Sequence, residues 1–517
     1  MGLSLLHTVE DVVAVARWRR RAEVTEEDLR RVKEGRRRLE SLISKGYLIY
    51  GVTTSFGPLC NRVVPKRKAE VIQWKLVVSH ASNAGELLPE EAVRAGMYCR
   101  LLVLLKGSSG VRPEVVELLA EMLNREVTPA VPELGSVGAS GDLGHLAHIA
   151  AAMAGEGEAF YRGELLPAAE ALRKAGLKPV KLSYKEGLAL INGTSFSCGL
   201  ASLAVYDMRC VFAAAMAAAA LSCEALTAVT DAFSRELNGL KQHPGQRRVA
   251  ELLSRMLEGS RNTRSRMSIM EKAALHDVSA LHYPEEVQDA YSVRCTPQVA
   301  GAALDAMDFA ATLVERELNS VSDNPVLVGS GVYHGGNFHG QHVSLAMDLL
   351  TIAAAQVTLL SERRLARLLD EKLNLGLPAF LSGGEVGVDS GFMGLQYAAT
   401  AAAAELRALA TPMSVQSITT NACNQDYVSF STQSALRAWR ASHRASIAIA
   451  VELIAAAQAC ELRGLEKLSP WTRRVYEAVR RRVKPLEEDR SMSRELRRLA
   501  EAVRRGEVAR EAGVWLW

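Results

Sequence analysis

Five long, alanine-rich apolar blocks occupy much of this 517-residue chain from residue 198 onward and limit the folds available to it. The blocks run roughly over 198–234, 297–320, 342–368, 394–411 and 430–463. Each is several helical turns long, and small side chains allow such helices to pack closely. Loops rich in Gly, Asn and Asp separate them. The pattern predicts a mainly α-helical protein with a long central up-and-down helical bundle.

The first 190 residues combine helical and strand-like sequence patterns with several predicted loops. A helix start is predicted at Thr25-Glu26-Glu27-Asp28, and further helices over Pro65–His80 and Pro89–Lys106. Short strand-like pieces occur near Glu158–Tyr161 and Val180–Leu182. This portion is therefore expected to combine helices with small strands.

The change in amino-acid composition and patterning along the chain predicts three domains or segments. Residues 1–196 form a loop-rich N-terminal domain, and residues 197–470 form the central bundle of long helices. Residues 471–517 form a charged, arginine-rich helical tail, whose charges are expected to face solvent.

Composition limits the partners and the compartment. The chain has 62 basic and 58 acidic residues, a formal net charge of +4, which gives no support to nucleic-acid binding. Its 8 cysteines form no CxxC pair, and no signal peptide opens the chain. We expect a reduced, cytoplasmic protein.

One apolar stretch, Cys210–Val229, is long enough to cross a membrane. It contains Glu224 and is mostly alanine rather than leucine, isoleucine or phenylalanine. We expect no other membrane-spanning stretch to accompany it. The prediction is a buried helix inside a bundle and no membrane partner.

The segment Gly138-Ala139-Ser140-Gly141-Asp142 can become an electrophile without an added cofactor. If the backbone folds back tightly, the amide nitrogen of Gly141 can attack the carbonyl of Ala139. Loss of two waters, one of them carrying the Ser140 hydroxyl, leaves a five-membered ring with an exposed methylene. Gly141 suits the attacking position because it tolerates strained backbone angles. Ordinary side chains offer no comparable carbon electrophile.

An Ala-Ser-Gly tripeptide is also compatible with a flexible loop or with a phosphate cradle, since glycines recur at 135, 138, 141 and 144. The glycine spacing fits neither GxGxxG nor GxxxxGK[ST]. The preceding Val127–Pro132 stretch is a poor strand candidate because it contains two prolines. The phosphate interpretation is therefore not favoured.

The run from Gly135 to Leu143 resembles the self-cyclising segment of the histidine/phenylalanine/tyrosine ammonia-lyase family. In that family the ring is called MIO (methylidene-imidazolone), and it would form here from Ala139-Ser140-Gly141 with no dissociable cofactor. The resemblance covers about residues 45 to 465 through at least five separated motifs. It implies an aspartase/fumarase-like lyase architecture and a homotetramer whose active sites draw on several subunits.

The resemblance also implies roles for single residues in the first part of the chain. Tyr50 matches the tyrosine that removes a β-proton from the substrate, His80 the position that contacts the substrate side chain, and Asn192 an asparagine that binds ring and substrate. A free phenol holds its proton well above neutral pH, so a base at this position requires a depressed pKa. The alternatives are a packing tyrosine, a structural histidine and a helix cap.

In the second part, the family match places Gln288 and Tyr291 near the ring, with Tyr291 catalytic, and Arg294 on the substrate carboxylate. A guanidinium can give a carboxylate two parallel bonds. Phe338 would pack beside the ring. The alternative for Arg294 is an ordinary surface side chain.

Two histidine-containing groups permit a metal interpretation: His334, His339 and His342, and Asp142, His145 and His148. Neither group has HExxH or Cys/His spacing. No metal is therefore expected.

The substrate is less defined than the reaction. Histidine-specific members usually have Glu where this chain has Gln425, and the Phe338–His342 segment leans toward the tyrosine type. L-histidine, giving urocanate, is the first prediction because histidine degradation is the commonest prokaryotic role of the family. Tyrosine ammonia-lyase, giving p-coumarate, is the second, and a tyrosine 2,3-aminomutase is a further alternative.

Two other classes of protein share the helical pattern. A fumarase- or argininosuccinate-type lyase would carry a Gly-Ser-Ser-x-Met-Pro-x-Lys-x-Asn segment, which Gly107-Ser108-Ser109-Gly110 does not continue. A non-catalytic helical scaffold would have no reason to carry Tyr50 and Arg294 in matching motifs. The favoured partner is a small amino acid.

Overall fold

The computed structural model describes residues 7–274 and 286–517 and is predominantly helical, with 60% helix and 7% strand. This confirms the predicted fold class. The helices are α1 Val9–Ala16, α2 Glu26–Ser44, α3 Ala69–His80, α4 Glu90–Leu104, α5 Pro113–Asn124, α6 Leu143–Met153, α7 Ala168–Lys174, α8 Glu186–Ile191, α9 Ser195–Ala225, α10 Arg235–Gly239, α11 Pro244–Leu257, α12 Arg266–Ala274, α13 Tyr291–Arg294, α14 Thr296–Leu318, α15 Gln341–Leu369, α16 Met393–Leu409, α17 Ser431–Arg463, α18 Pro470–Arg480, α19 Ser493–Arg504 and α20 Glu507–Ala512.

Helix α2 begins where the sequence predicts. Thr25 is its N-cap: the Thr25 hydroxyl accepts a hydrogen bond from the Asp28 N–H at 3.1 Å, and the Asp28 carboxylate accepts one from the Thr25 N–H at 2.9 Å. Each side chain satisfies a backbone donor that the first turn leaves free, which is the capping-box arrangement.

The strands are short and form three small antiparallel sheets. They are β1 Ala84–Leu87, β2 Val127–Pro129, β3 Pro132–Leu134, β4 Glu158–Tyr161, β5 Glu164–Pro167, β6 Val326–Val328 and β7 Gly331–Tyr333. The prediction at Glu158–Tyr161 is confirmed.

Two strand expectations were wrong. Residues 180–182 are not a strand, and Val127–Pro132, rated a poor candidate, contributes to β2 and β3. Pairing of β2 with β4 and of β3 with β1 outweighs the low strand propensity of proline, because both prolines lie at strand ends.

Residue contacts divide the chain into two compact units. Unit 1 comprises 1–206, 310–348 and 412–439, and unit 2 comprises 207–309, 349–411 and 440–517. The four long helices α9, α14, α15 and α17 contribute residues to both units. The division into three consecutive domains stays a prediction.

In unit 1, buried charges hold α8, the helix that leads to Asn192. Lys185 immediately precedes α8 and binds Asp323 at 2.6 Å, with both side chains almost fully buried. Glu186, also buried, accepts hydrogen bonds from the Arg112 side chain at 2.8 Å. Paired buried charges are costly to separate, so these contacts constrain the position of α8.

In unit 2, a buried polar network joins three of the long helices. The Arg364 guanidinium on α15 donates to both carboxylate oxygens of Glu452 on α17, at 2.5 and 2.9 Å. Glu452 also accepts a hydrogen bond from the Ser222 hydroxyl on α9 at 2.8 Å. Because every member of this network has a partner, the three helices are held in one register.

Among the residues that the structure describes, three helices, α9, α15 and α17, are long and apolar enough by length and composition to cross a membrane. Only one such stretch, Cys210–Val229, was expected from the sequence. The shares of their apolar windows that are buried within the structure are 100%, 72% and 83%. Most of this apolar surface is therefore covered by protein.

Candidate active site

The segment predicted to cyclise lies in unit 1 between the end of β3 and the start of α6, and hydrogen bonds hold its flanks. The carbonyls of Val137, Gly138, Ser140 and Gly141 each accept a hydrogen bond. Within residues 7–274 and 286–517, the Ala139 carbonyl and the N–H groups of Ser140 and Gly141 have no hydrogen-bond partner. Loss of the first water in ring closure would consume these three groups. The Ser140 hydroxyl, which would leave with the second water, accepts a hydrogen bond from Gln425 Nε2 at 3.2 Å.

Gly141 must be glycine for two geometric reasons. Its φ is +78°, in the left-handed region that L side chains rarely adopt. A Cβ at this position would lie 2.1 Å from the carbonyl oxygen of Gly193. The two backbones are close because Gly193 is hydrogen-bonded to the residues on either side of Gly141. The Gly193 N–H donates to the Ser140 carbonyl at 3.1 Å, and the Asp142 N–H donates to the Gly193 carbonyl at 2.8 Å.

A cavity of about 610 Å³ opens over Ser140 within unit 1. Five of the residues predicted from the sequence line it: Tyr50, His80, Ser140, Asn192 and Gln425. They come from four distant stretches of the chain and from the ring segment, so the fold brings together what the sequence separates. The volume of the cavity is in the range of pockets that bind small molecules.

Both the side chain and the backbone of Tyr50 make hydrogen bonds. Its phenolic oxygen accepts a hydrogen bond from the Gly57 N–H at 2.8 Å, and its backbone N–H donates to His334 Nε2 at 3.1 Å. Burial raises the pKa of Tyr50, and the Gly57 N–H opposes this by favouring the phenolate. The depressed pKa expected for a base is therefore not produced by these surroundings.

His80, the last residue of α3, has an assignable tautomer. Its Nδ1 lies 2.8 Å from the carbonyl oxygen of Leu76. Since a carbonyl can only accept, Nδ1 carries the proton. In the neutral ring Nε2 is therefore an acceptor, and it suits a donor such as a phenol hydroxyl.

Asn192 binds the ring segment directly. Its Nδ2 donates to the Ser140 carbonyl at 3.1 Å, beside the Gly193 N–H, so two donors meet on one oxygen. The backbone carbonyl of Asn192 accepts from buried Arg100 at 2.8 Å, which fixes the end of α8. Asn192 Oδ1 is buried and has no partner in the part of the chain that the structure describes.

Gln425 also contacts Ser140. Its Nε2 donates to the Ser140 hydroxyl at 3.2 Å, and its Oε1 accepts from the Thr420 hydroxyl at 2.8 Å. Thr420 and Gln425 also exchange backbone hydrogen bonds across a tight turn. Thr420 thus orients the amide of Gln425.

The other predicted site residues do not line this cavity. Phe338 lies in unit 1 in a turn after β7 and is half-buried. Gln288, Tyr291 and Arg294 belong to unit 2, where Tyr291 is 71% exposed. The Arg294 guanidinium lies 4.6 Å from the Tyr291 ring centre and donates through Nε to the Asp289 carbonyl at 2.7 Å.

Several lining residues were missed by the sequence analysis. Lys75 and Ser79 line the cavity from α3, together with Ile72 and Leu76. These residues recur at three- to four-residue spacing before His80, so helical periodicity could have identified them. Further lining residues to which no role was assigned from the sequence include Leu143, Leu188, Asn421 and Asn424.

The histidines considered as metal ligands have other contacts. His334 binds the backbone of Tyr50, and His339 Nε2 lies 3.3 Å from the Tyr427 carbonyl. His145 is fully buried and donates to the Glu133 carbonyl at 3.0 Å; burial lowers its pKa to about 4. Over residues 7–274 and 286–517, no group of three or more His, Cys, Asp or Glu side chains is arranged to hold a metal ion.

Asp142 anchors the chain immediately after the ring segment. Its buried carboxylate accepts hydrogen bonds from the N–H and hydroxyl of Ser197, at 2.7 and 3.0 Å, and from the Thr432 hydroxyl at 2.7 Å. Burial raises the pKa of Asp142, while these donors lower it. Asp142 thereby ties the start of α6 to the starts of α9 and α17.

The chain is similar to known proteins of one family along most of its length. Residues 7–481 match the family model for aromatic amino acid lyase. The tyrosine ammonia-lyase of Cupriavidus metallidurans is 43% identical to this chain, covering 98% of the chain and 97% of the relative. The histidine ammonia-lyase of Caldanaerobacter subterraneus is 41% identical, with 98% of each covered.

The fold also matches a solved structure. The tyrosine aminomutase of Streptomyces globisporus superimposes with a TM-score of 0.94 at 39% identity, covering 98% of this chain and 97% of that one. The predominantly helical lyase architecture expected from the sequence is thus shown. Given the family match over most of its length, this chain is a member of the aromatic amino acid lyase family.

Proposed function

We propose that this protein is a MIO-dependent ammonia-lyase whose preferred substrate is L-tyrosine, converted to p-coumarate and ammonia. The observation that carries the substrate is the pair His80 and Gln425 at the cavity. His80 Nε2 can accept a hydrogen bond from a phenol, and the neutral amide of Gln425 gives a charged imidazole no counter-charge. Lys75 adds a cation to the lining, which also disfavours an imidazolium.

The residues around Ser140 fit the MIO ring. Gly141 has a positive φ and no room for a side chain, and the Ala139 carbonyl and the Ser140 and Gly141 N–H groups carry no competing hydrogen bond in the described part of the chain. The ring would supply an electron-poor methylidene carbon to which an amine can add. Asn192 Nδ2 and the Gly193 N–H, both on the Ser140 carbonyl, would stabilise negative charge that develops on that oxygen.

Tyr50 is proposed to take the β-proton of the substrate. To act as a base, Tyr50 must first lose its proton. Burial raises the pKa of Tyr50 and opposes this loss, whereas the Gly57 N–H assists by stabilising the phenolate. A base of this kind supplies the proton transfer that elimination needs. Elimination then gives the α,β-unsaturated acid.

Arg294 is proposed to hold the substrate carboxylate, with Gln288, Tyr291 and Phe338 around the ring. The Arg294 Nε is occupied by the Asp289 carbonyl, so the two terminal nitrogens are the ones available for a carboxylate. The 71% exposure of Tyr291 supports an active site completed by another copy of the chain in a homotetramer. Light scattering of the purified protein tests this assembly.

The proposed compartment is the cytoplasm. Seven of the cysteines carry free thiols, which suits a reducing environment: Cys60, Cys99, Cys198, Cys223, Cys295, Cys423 and Cys460. Fractionation of the native host, with the protein detected by antibody, tests this proposal.

L-histidine is the second candidate substrate, favoured by the 41% identity to a histidine ammonia-lyase. The test is to incubate the purified protein separately with tyrosine, histidine and phenylalanine and to follow the ultraviolet absorbance of each conjugated product. Faster formation of coumarate supports the proposal, and faster formation of urocanate supports histidine. Chromatography of the same reactions for β-tyrosine detects an aminomutase, and no product from any substrate refutes the proposed activity.

A further inference from the structure

The hydroxyl of Ser136 contacts both ends of the segment that is expected to close on itself. Ser136 Oγ donates to the carbonyl of Gly141 at 3.0 Å and accepts from the N–H of Gly138 at 3.3 Å. A serine hydroxyl can donate and accept at once. The Ser136 side chain is buried, at 7% exposure, so water competes little for these bonds. One oxygen atom is therefore hydrogen-bonded to both Gly138 and Gly141, and this pair of hydrogen bonds forms a bracket around residues 138 to 141.

The two atoms that must join lie inside this bracket. Ring closure requires the nitrogen of Gly141 to approach the carbonyl carbon of Ala139, and an extended segment would keep them apart. The bracket favours a tight bend by tying Gly138 to Gly141. It does so without occupying the Ala139 carbonyl or the Ser140 and Gly141 N–H groups, which carry no hydrogen bond within the described ranges.

A second contact limits how far the bend can relax. The Ser429 hydroxyl donates to the Gly138 carbonyl at 3.0 Å, and a Cβ on Gly138 would lie 2.4 Å from that hydroxyl oxygen. Gly138 is therefore pressed against Ser429 while Ser136 holds its N–H. Prior alignment of reacting groups lowers the barrier of an intramolecular reaction.

We propose that Ser136 is a positioning residue for the self-cyclisation, through its hydroxyl bracket between Gly138 and Gly141. In the reaction the N–C bond between Gly141 and Ala139 forms. One water leaves with the Ala139 oxygen and the hydrogens of the Gly141 and Ser140 nitrogens, and a second leaves with the Ser140 hydroxyl and its Hα. The change is redox-neutral and needs no co-reactant. The inference rests on the proposed function only in that this ring forms.

The rate of ring formation can be measured apart from catalysis. The wild-type chain and Ser136→Ala are made by cell-free translation, and the intact mass is recorded at intervals for the loss of two waters. Each lost hydrogen bond is expected to slow ring closure on the order of tenfold. Unprocessed Ser136→Ala should therefore persist after the wild-type chain is fully converted.

Ser109→Ala is the matched control. Ser109 is also buried, but its hydroxyl has no hydrogen-bond partner in the described part of the chain. It removes the same atom without touching the bracket, so its conversion should follow the wild type. Circular dichroism of each variant reports whether it folds. A folded Ser136→Ala that converts as fast as Ser109→Ala overturns the inference.

If Ser136→Ala does not fold, Ser136→Cys provides the test, because a thiol has a similar shape and is only a weak donor. A folded Cys variant with delayed loss of water supports the bracket, and one that converts at the wild-type rate overturns it. The failure of the proposed function is distinguishable: the wild-type chain itself would then keep its encoded mass.

Discussion

His80→Phe is the substitution that most directly tests how the cavity selects its substrate. His80 lines the cavity, and its Nδ1 lies 2.8 Å from the Leu76 carbonyl. Because a carbonyl can only accept, we place the proton on Nδ1, which leaves Nε2 as the acceptor of the neutral ring. A phenylalanine ring keeps a flat side chain of similar size at this position. It removes the acceptor and leaves a tyrosine hydroxyl without a partner.

The magnitude follows from the cost of an unpaired polar group. Leaving a buried hydroxyl unsatisfied costs about 1–3 kcal/mol, and His80 is half-buried at the cavity wall. Since about 1.4 kcal/mol changes a rate tenfold, the ratio of kcat/KM for tyrosine over phenylalanine should fall roughly fivefold to a hundredfold. Activity on phenylalanine should be retained or increased, because its ring requires no acceptor.

The assay compares kcat/KM for both amino acids from the absorbance of coumarate and cinnamate, in the wild type and in His80→Phe. His243→Phe is the control, since His243 is exposed and precedes α11 outside the cavity. A tyrosine-to-phenylalanine ratio that is unchanged in a folded His80→Phe enzyme would refute the assigned role of Nε2.

Four further predictions concern the base, the ring and the selectivity. Tyr50→Phe should lower kcat on the order of 10²–10⁴-fold while the intact mass still lacks two waters. Because burial raises the pKa of Tyr50 and the base acts as phenolate, kcat/KM of the wild type should rise with pH through the alkaline range; a rate that falls there contradicts this. Gly141→Ala should retain the encoded mass, because its Cβ would meet the Gly193 oxygen at 2.1 Å. Gln425→Glu should shift the ratio of kcat/KM toward histidine and away from tyrosine, since a carboxylate can pair with an imidazolium; an unchanged ratio removes Gln425 from selectivity.

Local sequence was sufficient for the elements whose pattern is self-contained. The alanine-rich blocks predicted the long helices, and Thr25 with Asp28 predicted the start of α2, because helix periodicity and caps depend on residues a few positions apart. The strands of the N-terminal part were less predictable. Val127–Pro129 becomes a strand only because β4 pairs with it, and nothing within the segment shows that partner.

The candidate active site was likewise predictable from the sequence only in part. The Ala-Ser-Gly chemistry and the identities of Tyr50, His80, Asn192 and Gln425 were visible in the sequence, since they lie in recognisable short segments. Only the tertiary structure showed that these segments surround one cavity, that Leu76 sets the tautomer of His80, and that Ser136 brackets the ring segment. Those contacts depend on distances and donor directions in three dimensions, which residue order alone does not determine.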